Sequence, residues 1–162
     1  MVTMLAHGIG VELPAGFEGR IFKRQTDGPE LPYAVAHFAT FALPDGVGDF
    51  GIGAVTLMGE DDIFAVLFEY GPDSGGTRLF AREGMPRALS TSDFLPYVLR
   101  RGLPGQSGTQ WFFTESERPF TLYVVLGSHA RRSVLVPRAN GLLARMAVGP
   151  QPGPPPPGTP WN

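Results

Sequence analysis

Gln110-Trp-Phe-Phe-Thr-Glu-Ser-Glu-Arg-Pro-Phe-Thr-Leu-Tyr-Val-Val-Leu-Gly127 sets two aromatic and β-branched runs on either side of a charged four-residue segment, Glu115 to Arg118. That pattern predicts a β-hairpin. Pro119 can open the second strand, because the first residue of a strand need not donate to the ladder. From Phe120 to Leu126, Phe120, Leu122, Val124 and Leu126 share one face, while Tyr123 and Val125 share the other. Both sets are apolar, so this strand is expected inside a sheet, with material packed above and below it.

Working back from the hairpin, Phe94 to Leu99 reads equally as strand or helical turn, and Gly71 to Ser92 reads as a long loop with at most one helical turn. Ile63 to Phe68 is an unbroken apolar run whose length and flanks favour a buried strand. A short helix is expected over Ala54 to Met58, ended by Gly59, after a glycine-rich connection from Pro44 to Gly53. Tyr33 to Leu43 is a strand with neither face clearly solvated, and Gln25 to Pro32 is a loop. Arg20 to Arg24 reads as an exposed edge strand, and Ile9 to Leu13 as a weak strand stopped by Pro14-Ala-Gly16.

Forward of the hairpin, a polar break precedes Val134 to Met146, where Leu135, Ala139, Leu142, Leu143 and Met146 form one helical stripe. The helix is expected to begin near Leu135, so that Pro137 falls in its first turn. Asn140-Gly141 is a rival hairpin signal, outweighed by the stripe. From Gly149 the Pro/Gly-rich tail has too little apolar content to fold, and is expected to be disordered and to sample extended conformations.

The 162 residues fit one α+β domain over 1–148, mostly antiparallel sheet with at least one packed helix, followed by the tail 149–162. Thirteen basic and 15 acidic residues nearly cancel, so no field draws the chain to nucleic acid or an anionic membrane, and neither is expected as a partner. With no Cys, thiolate chemistry and Cys-based metal sites drop out. Met1 to His7 lacks the features of a signal peptide, and no stretch approaches about 20 apolar residues, so a cytoplasmic location is expected. Basic residues that are almost all Arg, with 22 Gly and 17 Pro, point to a GC-rich bacterial genome.

Val11-Glu-Leu-Pro-Ala-Gly-Phe17 is a strand running into a Leu-Pro-x-Gly-aromatic turn, and Gln110 to Val148 gives hairpin, polar break, amphipathic helix and a short last strand. In these two ends the chain resembles the PsbP/DcrB-like fold family, while its glycine-rich middle departs from that pattern. The resemblance implies an antiparallel sheet between helices, an α/β/α sandwich used more often as an accessory or partner-binding module than as an enzyme.

Several residues could carry chemistry. Gly46-Val-Gly-Asp-Phe-Gly51 is formally G-x-G-x-x-G, with Glu69 at a strand end 18 residues after Gly51. Pro44-Asp45 break the approach, however, and Gly59 leaves too short a helix to offer its N-terminus to a pyrophosphate. A plain glycine loop is the simpler reading of Gly46, Gly48 and Gly51, and no cofactor is expected. Glu60-Asp61-Asp62 are consecutive and do not converge by themselves, so a solvated turn is expected there rather than a metal site.

His37 sits in an apolar strand, where it is either a core histidine or a general base working with Glu69 and Tyr123 from neighbouring strands. Ser107 stands in a loop with no base near it in sequence, and His7 and His129 lie in loops with no evident partner. Arg82, Arg100, Arg101, Arg131 and Arg132 could form an anion patch, though scattered arginines usually make surface ion pairs.

The leading expectation is a non-catalytic accessory or interaction module with a protein partner or self-association. The alternatives are a small cofactor-independent enzyme built on His37, Glu69 and Tyr123, and a nucleotide or anion binder using Gly46 to Gly53.

Overall fold

The computed structural model describes residues 2–24, 33–45, 48, 50–96 and 103–151. Two antiparallel sheets carry most of its regular secondary structure. Strands β3 (Glu18–Lys23), β4 (Ala34–Ala39), β5 (Ile63–Glu69), β6 (Ser107–Glu115) and β7 (Arg118–Leu126) form a five-stranded sheet in the order β3-β4-β5-β7-β6. Strands β1 (Val2–Ala6), β2 (Ile9–Leu13) and β8 (Met146–Val148) form a second sheet in the order β1-β2-β8. Helix α1 (Ile52–Val55) is a single turn, and α2 (Arg132–Leu143) is the long helix. The α+β class expected from the sequence is the class observed.

The hairpin pairs β6 with β7 from Ser107↔Leu126 to Glu115↔Arg118. Its turn is shorter than the charged tetrad. Only Ser116 and Glu117 loop out, at φ 52° and 62°, and this primed geometry matches strand twist. Arg118 therefore opens the strand, with Pro119 inside it. β7 lies between β5 and β6, and its alternation works as expected: Phe120, Leu122, Val124 and Leu126 join the larger apolar core, while Val125 and Tyr123 join the smaller one on the opposite face.

The larger core is roofed by α2, the inner face of the three-stranded sheet and Met85, Leu89 and Phe94 from the long connection. α2 starts at Arg132, three residues earlier than expected, so Pro137 stands in the second turn on an exposed face. Asn140-Gly141 makes no hairpin. The Asn140 amide instead accepts from Leu89 N–H and donates to Leu89 C=O, both at 2.8 Å, as a neighbouring strand would. The connection contains three short 3-10 turns, at Pro72–Ser74, Arg78–Phe80 and Thr91–Asp93, where one turn at most was expected.

The opposite face of the five-stranded sheet is covered by α1 and by Phe41, Leu43 and Met58 beside it. α1 begins two residues before the helix expected from the sequence and ends at Val55. β1 has no counterpart in the sequence reading; it folds back on β2 through His7-Gly8, both at positive φ. Gly149 N–H is bonded to Gly8 C=O, one residue beyond the end of β8. Gln25 to Pro32 falls outside the described residues, as does the tail from 152. Among the described residues, no helix is long and apolar enough to cross a membrane.

Candidate functional site

The registers His37↔Val66 and Val66↔Tyr123 put His37 and Tyr123 on one face of the sheet, on either side of Val66. Glu69 follows the alternation of Ile63, Ala65 and Leu67 and points to the other face. The trio proposed as a general acid–base site is therefore split by the sheet itself. His37 is wholly buried between the edges of the Phe22 and Phe64 rings, at centroid distances of 5.1 and 5.5 Å. Burial pushes the Tyr123 phenol up to about 12.

Glu69 serves a different partner. Its carboxylate receives Arg118 Nε at 2.8 Å and Nη2 at 3.0 Å, and also accepts the Ala34 backbone N–H at 2.9 Å. Arg118 Nη2 and Nη1 also donate to the carbonyls of His7 and Gly149, each at 2.9 Å. One guanidinium thus ties the end of β5 to the β1–β2 turn and to the residue after β8. Gly8 is required in that turn twice over, because its φ is 78° and a Cβ there would lie 2.5 Å from Arg118 Nη1. Sequence spacing gave no sign of this pair, since the two residues are 49 apart.

Gly46 lies outside the described residues, but Gly51 is explained. It stands at φ 65° before α1, and a Cβ there would sit 2.3 Å from the Phe64 ring. The glycine admits an aromatic ring rather than a phosphate. Gly48 is also at positive φ, with nothing near its Cβ position.

The acidic turn is occupied by the fold. Asp62 accepts from Thr40 Oγ1 and Gly59 N–H, and Asp61 pairs with Arg131 at 2.6 Å. No cluster among the described residues has the make-up of a metal site. Arg132 donates to the carbonyls of His129 and Thr91, and Arg82 lies over the Trp111 ring. Arg100 and Arg101 lie outside the described residues.

Ser107 does have a base: its Oγ is 2.8 Å from His129 Nδ1. A sequence separation of 22 hid the contact. Ser107 is fully buried, however, and His129 N–H is bonded to Gly105 C=O. The pair fastens the start of β6 to the entry of α2 and leaves the hydroxyl no path to a substrate. A shallow hollow of about 240 Å³, lined by Gly16, Phe17, Glu18, Thr40, Phe41 and Ala42, holds none of these groups.

The outer edges of the sheets differ from one another. β3 carries Glu18, Arg20 and Lys23. β6 is bonded at Thr114 by Arg82 C=O and Gly84 N–H, and at Gly108 by Leu95. β8 receives Arg87 on Met146 C=O and Ser116 on Val148 C=O. β1, Val-Thr-Met-Leu-Ala, carries no charge, and nothing among the described residues bonds its outer side. Val2 is 63% and Leu5 80% exposed.

Comparison with protein families, with curated proteins and with solved structures finds no match.

Proposed function

We propose that this chain is a non-catalytic protein-interaction module that docks partners by strand addition along β1. The observation that carries this reading is the uncharged, exposed β1 edge, on a protein whose other sheet edges are charged or braced. Unpaired strand-edge amides and carbonyls select for an extended backbone, and alternate side chains add specificity. The use of Glu69, Arg118, Ser107 and His129 in holding segments together supports the same reading.

The test is affinity capture with the wild-type chain and with Leu5→Lys in parallel, including co-expressed copies carrying different tags. Leu5 points outward, so a lysine there leaves the core intact while placing charge on the edge. A protein retained by wild type and lost from the variant supports docking at β1. Equal retention by both would remove β1 as the site, and retention by neither, with the bait concentrated and cross-linked before washing, would remove the interaction reading.

A further inference from the structure

We infer that the strand added to β1 is β1 of a second copy of this chain, giving a two-fold homodimer in which two three-stranded sheets join into one of six. This inference rests on the strand-addition reading above and specifies the partner.

Backbone geometry sets the register. His7-Gly8 is a two-residue turn, so Ala6 and Ile9 exchange hydrogen bonds, and Met4 and Val2 follow with their amides toward β2. Thr3 and Leu5 therefore direct their N–H and C=O groups outward. An antiparallel copy centred on Met4 sets Thr3 opposite the copy's Leu5, and Leu5 opposite the copy's Thr3. Four backbone hydrogen bonds then close with no residue left over, as an isologous contact requires.

The side chains are compatible with that register. Leu5 lies beside the copy's Thr3 on the outer face, and Val2 lies beside the copy's Ala6 on the inner face, where the strand now leaves it in water. No charge lies within the seam. The nearest acidic side chain in the sheet is Glu12, paired with Thr3 on β2. Three strand spacings of about 4.8 Å would separate the two copies of Glu12, beyond the screening length of physiological salt. β3 could not pair with itself so freely, because it presents three charges. A five-residue seam buries much less than the standard interface, which places this dimer in the weak, concentration-dependent class.

The experiment is sedimentation equilibrium of the full chain over a concentration series, with amide exchange measured at both ends of that series. Wild type is expected to move from the chain mass of 17.4 kDa toward twice that value, with Thr3 and Leu5 amides gaining protection as it does. Leu5→Pro removes only an outward N–H, and Leu5→Lys changes only an exposed side chain, so both should fold as wild type and stay monomeric. Leu79→Lys, on a distant exposed leucine, should dimerise normally.

A wild-type chain that stays monomeric up to about 1 mM overturns the inference. So does a dimer that Leu5→Pro leaves intact. A monomer that still captures a different protein through a Leu5-dependent contact would overturn the homodimer while leaving strand addition at β1 standing.

Discussion

Arg118 grips Glu69 through two parallel hydrogen bonds, Nε to Oε2 at 2.8 Å and Nη2 to Oε1 at 3.0 Å, with 4% and 2% of the respective side chains exposed. A bidentate pair out of water is costly to break from one side, because the partner left behind is a buried, uncompensated charge. Arg118→Leu is expected to lower stability by about 3–5 kcal/mol in urea unfolding. The exposed pair Arg131–Asp61 is the control, and Arg131→Ala should cost no more than about 1 kcal/mol. Equal losses in the two variants would mean that the Arg118 junction does not hold the sheets together.

Gly51 and Gly48 separate two reasons for a glycine. Both have positive φ, but only Gly51 lies against a ring. Gly48→Ala should cost about 1 kcal/mol, the price of a left-handed backbone alone. Gly51→Ala must also displace Phe64, and should cost about 1–3 kcal/mol more, with a shift in the aromatic signals of Phe64 in NMR spectra.

Burial raises Tyr123 to about 12 and raises Tyr70 against the opposing charge of Arg24. In the unfolded chain both phenols ionise near 10.0. Between the two values the unfolded state has lost a proton that the folded state keeps, so stability falls as pH rises. The Tyr123 contribution is intact below pH 10.0 and is lost as pH climbs through about 12. A spectrophotometric titration should show late tyrosinate formation, and Tyr123→Phe should remove the latest phase. Tyr123 ionising near 10.0 would contradict this burial.

Asn140 holds the long connection onto α2 through both atoms of its amide. Asn140→Leu leaves the N–H and C=O of Leu89 without those bonds and should cost about 1–3 kcal/mol. Amide exchange at Leu89 should accelerate more than exchange in β5 or β7. A uniform change across the protein would show that the connection and the sheet unfold as one unit.

The parts of the fold legible in the sequence were those written in local periodicity. β5 is an unbroken apolar run and β7 an apolar alternation, and each stands where its pattern put it. β1 was missed because Val-Thr-Met-Leu-Ala alternates too weakly, and the sheet it joins through β2 is completed only by β8 at the far end of the fold. The start of α2 was misplaced because Pro137 was confined to a first turn, whereas its exposed position in the second turn is accommodated. The proposed trio failed on parity. His37 and Tyr123 share a face through Val66, but Glu69 is an odd-numbered residue of β5 and Val66 an even one. The pairs that did form, Glu69 with Arg118 and Ser107 with His129, depend on which strands become neighbours, and no spacing along the chain records that.

The pairing of Ile9 with Val148 also sets an order of events during synthesis. The β1–β2 hairpin leaves the ribosome before α2 and β8, so its inner residues Ile9, Val11 and Leu13 have no finished roof until those elements follow. Contacts so far apart in sequence form late, since loop closure precedes any gain from them. Until then the nascent chain carries an uncovered apolar strand beside a bare sheet edge. That is the interval in which a chaperone holding the N-terminal hairpin would have the greatest effect on yield.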